Sequence, residues 1–352
     1  MATPDSKDRF AELDALRGIA ALMVVIYHYT TKYQELYGHT GAALIDLRAG
    51  RNGVQLFFAI SGFVICMTLE RTKKPLDFIV SRFSRLYPAY WAALLLTTAV
   101  VLAAGFDSLK VDPASFVGNL TMFEGFLPEP HFVDGVYWTL TVELSFYCCM
   151  FALYRAGLLG RIEPILVGWI GLKWLWFFYP QLPQLPGILL IQETIPFFAI
   201  GICCYRLSTR ATDWRWATLI LSLAIGSVFY VNGYKMGIVA IVTTVIFLSF
   251  THGYAKWLRA KPLLWLGGIS YTLYLIHQHI GYVIIRNLEI RGINPNVAIL
   301  VAMAVVLSLA AAVTTLIERP AMTWVRERYG RRRQVCYGGT APLVSGDQRP
   351  LS

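Results

Sequence analysis

The chain has 352 residues, of which 56% are hydrophobic, 14% aromatic and only 15% charged, and its net charge is +10. A soluble domain of this size needs far more polar surface, and reading in windows of about 19 residues leaves no room for a separate one. The basic excess, 31 Lys and Arg against 21 acids, is dispersed through short connections, so it does not describe a nucleic-acid-binding surface.

Ten apolar stretches have the length of membrane spans: 12–31, 52–70, 86–105, 137–154, 163–180, 187–205, 214–232, 236–251, 266–285 and 297–317. With the N-terminus in the cytoplasm, 22 Lys and Arg fall in cytoplasmic segments and seven on the opposite side. That imbalance fits the positive-inside rule and requires an even number of spans. The expected fold is therefore all-α, a polytopic integral membrane helix bundle of about ten transmembrane helices over 12–318. It sits in the inner (cytoplasmic) membrane among its lipids, with both termini cytoplasmic. Residues 1–11 form an N-terminal segment, and the basic tail 319–352, which includes Arg331-Arg332-Arg333, is expected to be partly disordered and to lie on the membrane surface. The first apolar run is too long for a cleaved signal and carries Arg17, so it is expected to remain as the first span. Six cysteines have neither disulfide nor zinc spacing, and no metal site is expected.

The first span carries Asp14, Arg17 and His28. Ionisable groups inside a span are costly and by default face a protein interior or a polar cavity. Eleven residues separate Arg17 from His28, which puts both on one stripe about 16 Å apart along the axis. Asp14 lies one turn before Arg17. A snorkelling arginine, its aspartate partner and a histidine satisfied by a neighbouring helix explain each residue singly, but not a lipid-facing stripe built from all three.

In the second span, Ser61-Gly62 lets another backbone approach closely, and Gln55 shares the face of Gly62. Arg82 and Arg85 precede the third span. Three apart on a helix, they point the same way and suit a phosphorylated ligand, which guanidinium grips bidentately; the alternative is a pair of positive-inside anchors. The connection 106–136, rich in acids and phenylalanines, is either a rim that receives carbohydrate or a lid packed on the bundle. Glu143 lies about two turns into the fourth span, on the side of Thr139, and needs a basic or hydroxyl partner. Lys173 is isolated and has a carbonyl or carboxylate within its expected reach. Glu193-Thr194-Ile195-Pro196 opens a proline-distorted sixth span, and the seventh and eighth read as scaffold. In the ninth, Ser270, Tyr274, His277 and Gly281 fall within about 40° of one another on a helical wheel, making either a polar cavity or a set of interhelical hydrogen bonds. The tenth ends at Ile317-Glu318-Arg319-Pro320, where proline is expected to stop the helix.

Sorted by depth, Arg17, Arg82 and Arg85 lie towards the cytoplasm, His28 and Glu143 in the outer half, and Tyr274 and His277 near the middle. A two-sided reaction fits this order, with a phosphorylated donor entering from the cytoplasm and an acceptor from the other face. His28 would take a hydroxyl proton, and Glu143 beside it would orient and charge-stabilise the imidazole, as the carboxylate does in a catalytic triad. Asp14, Ser61, Tyr274 and His277 are expected to bind substrate.

Leu13-Asp14-Ala15-Leu16-Arg17-Gly18 followed by Tyr27-His28 resembles the arginine–ten residues–histidine signature of acyltransferase family 3, the bacterial polytopic O-acyltransferases. The resemblance continues through Phe57-Phe58-Ala59-Ile60-Ser61-Gly62-Phe63, Arg82-Phe83-Ser84-Arg85-Leu86-Tyr87-Pro88, Trp138-Thr139-Leu140-Thr141-Val142-Glu143 and Ser270-Tyr271-Thr272-Leu273-Tyr274-Leu275-Ile276-His277. It implies acyl transfer from cytoplasmic acyl-CoA, often acetyl-CoA, to a hydroxyl of a sugar or similar acceptor. The acyl-CoA is a co-substrate, and no permanently bound cofactor is implied. His28 would be catalytic, Arg17, Arg82 and Arg85 would bind the donor, and Glu143 would complete the site. Many relatives add a hydrolase-like domain at the C-terminus; this chain is expected to belong with the single-domain members. The runner-up acceptor is a small secondary metabolite such as a macrolide. Outside this chemistry, a proton-coupled transporter or a non-catalytic assembly partner would also place such groups in a bundle.

Overall fold

The computed structural model describes residues 11–336, apart from 44, 107, 108 and 110. Among the described residues there is no strand, and ten long helices occupy the ten apolar stretches. They are α1 (Ala11–Tyr27), α2 (Gly53–Arg71), α3 (Pro75–Ala104), α4 (Trp138–Arg155), α5 (Ile162–Phe178), α6 (Ile195–Ser208), α7 (Trp214–Asn232), α8 (Tyr234–Thr251), α9 (Lys261–Ile290) and α10 (Pro295–Val313). Six helical stretches, Arg48–Arg71, Pro75–Ala104, Gly135–Arg155, Trp214–Asn232, Tyr234–Thr251 and Pro295–Arg331, are long and apolar enough to cross a membrane. The protein is an all-α membrane helix bundle. The sixth helix starts eight residues later than the apolar stretch 187–205, because Pro196 occupies its first turn, where a missing N–H costs nothing.

Two glycine contacts set the packing. A Cβ on Gly267 of α9 would lie 2.1 Å from the Asp14 carbonyl, and one on Gly18 would lie 2.6 Å from the Gly267 nitrogen. α1 and α9 therefore touch backbone to backbone, and they stay together from Asp14–Gly267 to Tyr29–Gly281, about four turns. α2 and α6 cross in the same way, with a Cβ on Gly62 placed 2.2 Å from the Phe198 carbonyl. The Ser61-Gly62 notch is thus occupied by a second backbone.

One end of the bundle carries the connections 71–75, 155–162, 208–214 and 251–261. Arg206 bonds Glu70 at 2.7 Å and Glu163 at 2.8 Å there, and Arg259 bonds Glu12 at 2.7 Å. We call this the basic end. At the opposite loop end, His39 bonds Glu289 at 2.6 Å and the Tyr29 carbonyl at 3.0 Å. The 106–136 connection folds back along α3: Trp91 Nε1 donates to the Leu120 carbonyl at 2.9 Å and the Tyr87 hydroxyl to that of Thr121 at 3.0 Å. Tyr87 lies 17 residues before Ala104, so the loop descends about 25 Å along the helix. It is packed on the bundle.

Pro320 does not stop the last helix. A π-turn, Thr314–Glu318, leads into α11 (Arg319–Cys336), which packs on α3 through Arg326–Ser84 at 3.1 Å and Tyr329–Asp77 at 2.7 Å. The wide turn restarts the hydrogen-bond ladder, and Pro320 falls in the first turn of the new helix, where it is tolerated. Residues 1–10 and 337–352, the N-terminal segment and the end of the basic tail, lie outside the described residues.

Gly267→Ala should cost about 1–3 kcal/mol, the range for overpacking, and lower the melting temperature in detergent. Gly168→Ala in α5, where a Cβ meets nothing within 4 Å, should leave it unchanged or raise it slightly.

Candidate active site

Two cavities meet inside the bundle. The first, of about 100 Å³, is lined by Arg17 of α1, Ser61 of α2, Arg82 and Arg85 of α3, Glu143 and Tyr147 of α4, and Tyr271 and Tyr274 of α9, with Val54, Phe57, Ile60 and Leu140 among its apolar wall residues. Arg85 bonds Glu318 at 2.5 Å, and the other Glu318 oxygen accepts from Thr272 at 2.7 Å and Thr314 at 3.3 Å. Arg82 lies over the Tyr147 ring at 5.9 Å from its centroid, donates to Ser81 at 3.1 Å, and keeps a buried Nε without a partner among the described residues. Glu143 accepts from the Tyr147 hydroxyl and, at 3.4 Å, from Ser61. The carboxyl thus has the hydroxyl partners that its place in a span demands. Three guanidinium groups beside two carboxylates leave an electropositive chamber suited to an anion.

The second cavity, of about 310 Å³, is lined by Val24, Tyr27, His28, Lys32, Arg51, Val136, Trp138, Tyr274 and Gln278, among others. His28 starts a π-turn, His28–Lys32, where side-chain donors enter the helical ladder: His28 Nδ1 on the Val24 carbonyl at 2.8 Å and the Thr30 hydroxyl on that of Ile26 at 2.7 Å. The fully buried His277 has Nδ1 2.7 Å from the Tyr274 carbonyl and Nε2 3.2 Å from His28 Nδ1. A carbonyl only accepts, so in the neutral pair His277 carries its proton on Nδ1 and offers the lone pair of Nε2 to His28. His28 then carries its own proton on Nδ1, shared between Val24 and His277. Its Nε2 is left as a bare acceptor, with no protein partner among the described residues. That is the tautomer a general base needs.

Tyr274 and Val54 line both cavities, so the wall between them is one residue thick. Tyr274 is held there by Thr139 at 2.9 Å, the Val136 carbonyl at 3.3 Å and the edge of Phe57.

This geometry corrects the expected pairing of His28 with Glu143. Thr139 meets the wall, and Glu143 is four residues further towards the basic end, about 6 Å below it. His277 and its partner His28 are about 4.5 Å above it, three residues beyond Tyr274. The two residues line different cavities, and the group that orients His28 is His277. Arg17, Arg82, Arg85 and Ser61 share the chamber of Glu143, Tyr274 forms the wall, and Asp14 is not among the residues lining either cavity, although its charge acts on Arg17. Glu318 was not singled out as a site residue. Its signal, a lone acid closing an apolar span, is legible in the sequence, but its partner is not. Lys173, 1% exposed, donates to the Glu193 carbonyl at 3.2 Å and ties α5 to the start of α6.

A membrane bundle with a cationic chamber on one side of a thin wall and a poised imidazole on the other has the parts of a group-transfer enzyme. Residues 10–315 match the family described as Acyltransferase domain, and the chain belongs to that family. It is a membrane acyltransferase. It is 24% identical to "Acyltransferase MdmB" of Streptomyces mycarofaciens over 97% of both chains. It is also 24% identical to "Peptidoglycan O-acetyltransferase OatA" of Listeria monocytogenes over 83% of this chain and 52% of that one. Over 28% of this chain and 32% of the relative, it is 34% identical to "Exopolysaccharide production protein ExoZ" of Rhizobium meliloti. No solved structure matches.

If His277 holds the working tautomer of His28, His277→Ala should lower kcat by roughly tenfold, the worth of one hydrogen bond, with KM for the acyl donor unchanged. Adding it to His28→Ala should cost nothing further, because the two act as a unit. An additional loss in the double variant would show that they work separately.

Proposed function

We propose that the protein transfers an acyl group, acetyl in the simplest case, from acyl-CoA entering at the basic end to a hydroxyl of a carbohydrate at the loop end, such as an exported polysaccharide or lipid-linked sugar. The basic end is then cytoplasmic, in keeping with the distribution of Lys and Arg, and the membrane is the inner one. One observation carries the reading: three arginines stand on one side of the Tyr274 wall, and an imidazole with a bare nitrogen stands on the other.

The arginines hold the phosphates of the donor, with Arg85 steadied by Glu318, and the thioester reaches the wall. The acceptor hydroxyl gives its proton to Nε2 of His28 while its oxygen attacks the thioester carbonyl carbon. The tetrahedral intermediate collapses by breaking the C–S bond, and the proton passes from His28 to the departing CoA thiolate. While protonated, the His28 ring is supported through Nδ1–H by the Val24 carbonyl and by the neutral His277. Glu143 works in the donor chamber, where its charge balances Arg17.

The test is acetyl-CoA turnover by the protein in lipid nanodiscs. General-base catalysis is typically worth 10²–10⁴-fold, so His28→Ala should lose that factor or more while still binding the donor. Arg82→Ala should raise KM for acetyl-CoA about tenfold or more, the loss of a charge-assisted hydrogen bond. Turnover that is indifferent to His28, or its absence from a protein that moves protons or solutes, would refute the assignment.

A further inference from the structure

A third cavity, of about 390 Å³, lies at the loop end beside the His28 cavity, under the 106–136 connection. Among the described residues it is lined by Tyr37, Asp112, Phe132, Gln278, His279 and Tyr282, with others, and by no Lys or Arg. This is the opposite of the arginine chamber. The Asp112 carboxylate there accepts from the Ser115 backbone and hydroxyl, which hold its pKa below the ordinary range.

Two features mark the cavity as built for a ligand. The Tyr282 hydroxyl, on a side chain 1% exposed, has no hydrogen-bond partner among the described residues, and His279 Nδ1 has only the buried Asp134 carboxylate, 4.0 Å away. Buried polar groups are almost always satisfied, so each unsatisfied one needs an account. The cavity also adjoins the reactive one. Gln278 lines both, and the Tyr282 ring centroid is 6.5 Å from that of His28. Gln278 occupies that position because residue 135 is glycine: a Cβ there would lie 2.9 Å from its amide nitrogen.

Aromatic faces with a few hydroxyl, amide and imidazole groups, and no Lys or Arg among the described lining residues, fit a neutral polyhydroxyl ring better than a phosphate, a lipid or a charged metabolite. We propose that this vestibule is a second acceptor subsite, which binds the sugar ring linked to the one acylated at His28. The acceptor would then span at least two rings, the second held by Tyr282, Gln278 and His279. This rests on the acyl-transfer reading above and extends it from one reacting hydroxyl to an oligomeric acceptor.

Binding can be read without turnover. With protein in nanodiscs, saturation-transfer NMR should show contact to both rings of methyl β-cellobioside or of diacetylchitobiose, in the natural protein and in His28→Ala alike. Tyr282→Phe and His279→Ala should each weaken binding of the disaccharide about tenfold and remove the contact to one ring, while leaving binding of methyl β-glucoside unchanged. No contact with either disaccharide, or contact indifferent to both substitutions, would overturn the subsite. Disaccharide binding that depends on Tyr282, in a protein without His28-dependent turnover of acetyl-CoA, would overturn the proposed reaction and leave the subsite standing.

Discussion

The close crossing of α1 and α9 is the constraint on which the site depends. Gly18 and Gly267 leave no space for a side chain between the two backbones. Lipid is as apolar as leucine, so helices in a membrane associate through close packing and hydrogen bonds. The crossing supplies the first, and the Tyr29 hydroxyl on the His277 carbonyl at 2.8 Å supplies the second. Everything reactive then follows from register along this pair. Arg17 falls beside the donor chamber, Tyr274 at the wall, and His28 against His277. A slip of one residue on either helix would turn these side chains by about 100°.

Three guanidinium groups and Glu143 gather in the chamber at the basic end, whereas the cavities at the loop end combine imidazole, amide and phenol groups with Lys32, Arg51 and Asp112. Charged groups inside a membrane persist only when paired or when they face a polar space. Arg85 is paired with Glu318, and Glu143 is held by two hydroxyls. Among the described residues, the Arg82 Nε and the Tyr282 hydroxyl are two of several buried polar atoms without a partner, and beside them Nε2 of His28 is left as a bare acceptor.

Much of this was legible in the sequence, since cost alone picks out Arg17, His28 and Glu143 as residues that must face the interior. The stripe on α9 was legible for the same reason. The offset between helices was not. Whether Glu143 meets His28 depends on how far α4 slides along α9, and an offset of about two turns leaves it across the wall. The role of His277 follows from that offset, because its Nε2 is the acceptor left facing His28. The return of the 106–136 loop along α3 depends on single bonds from Tyr87, Tyr90 and Trp91 to loop carbonyls, which no periodicity reports. Pro320 misled because its effect depends on the π-turn before it, and such a turn has no clear sequence mark.

The central claim is that two cavities with different access share one wall at Tyr274. Cysteine accessibility in oriented vesicles tests it most directly, with Ser61→Cys in the donor chamber and Val136→Cys in the His28 cavity, each in a background without native cysteines. An impermeant maleimide should reach the first from the basic end alone and the second from the loop end alone, and CoA should protect only the first. Labelling of both from the same side, or protection of both by CoA, would contradict the account.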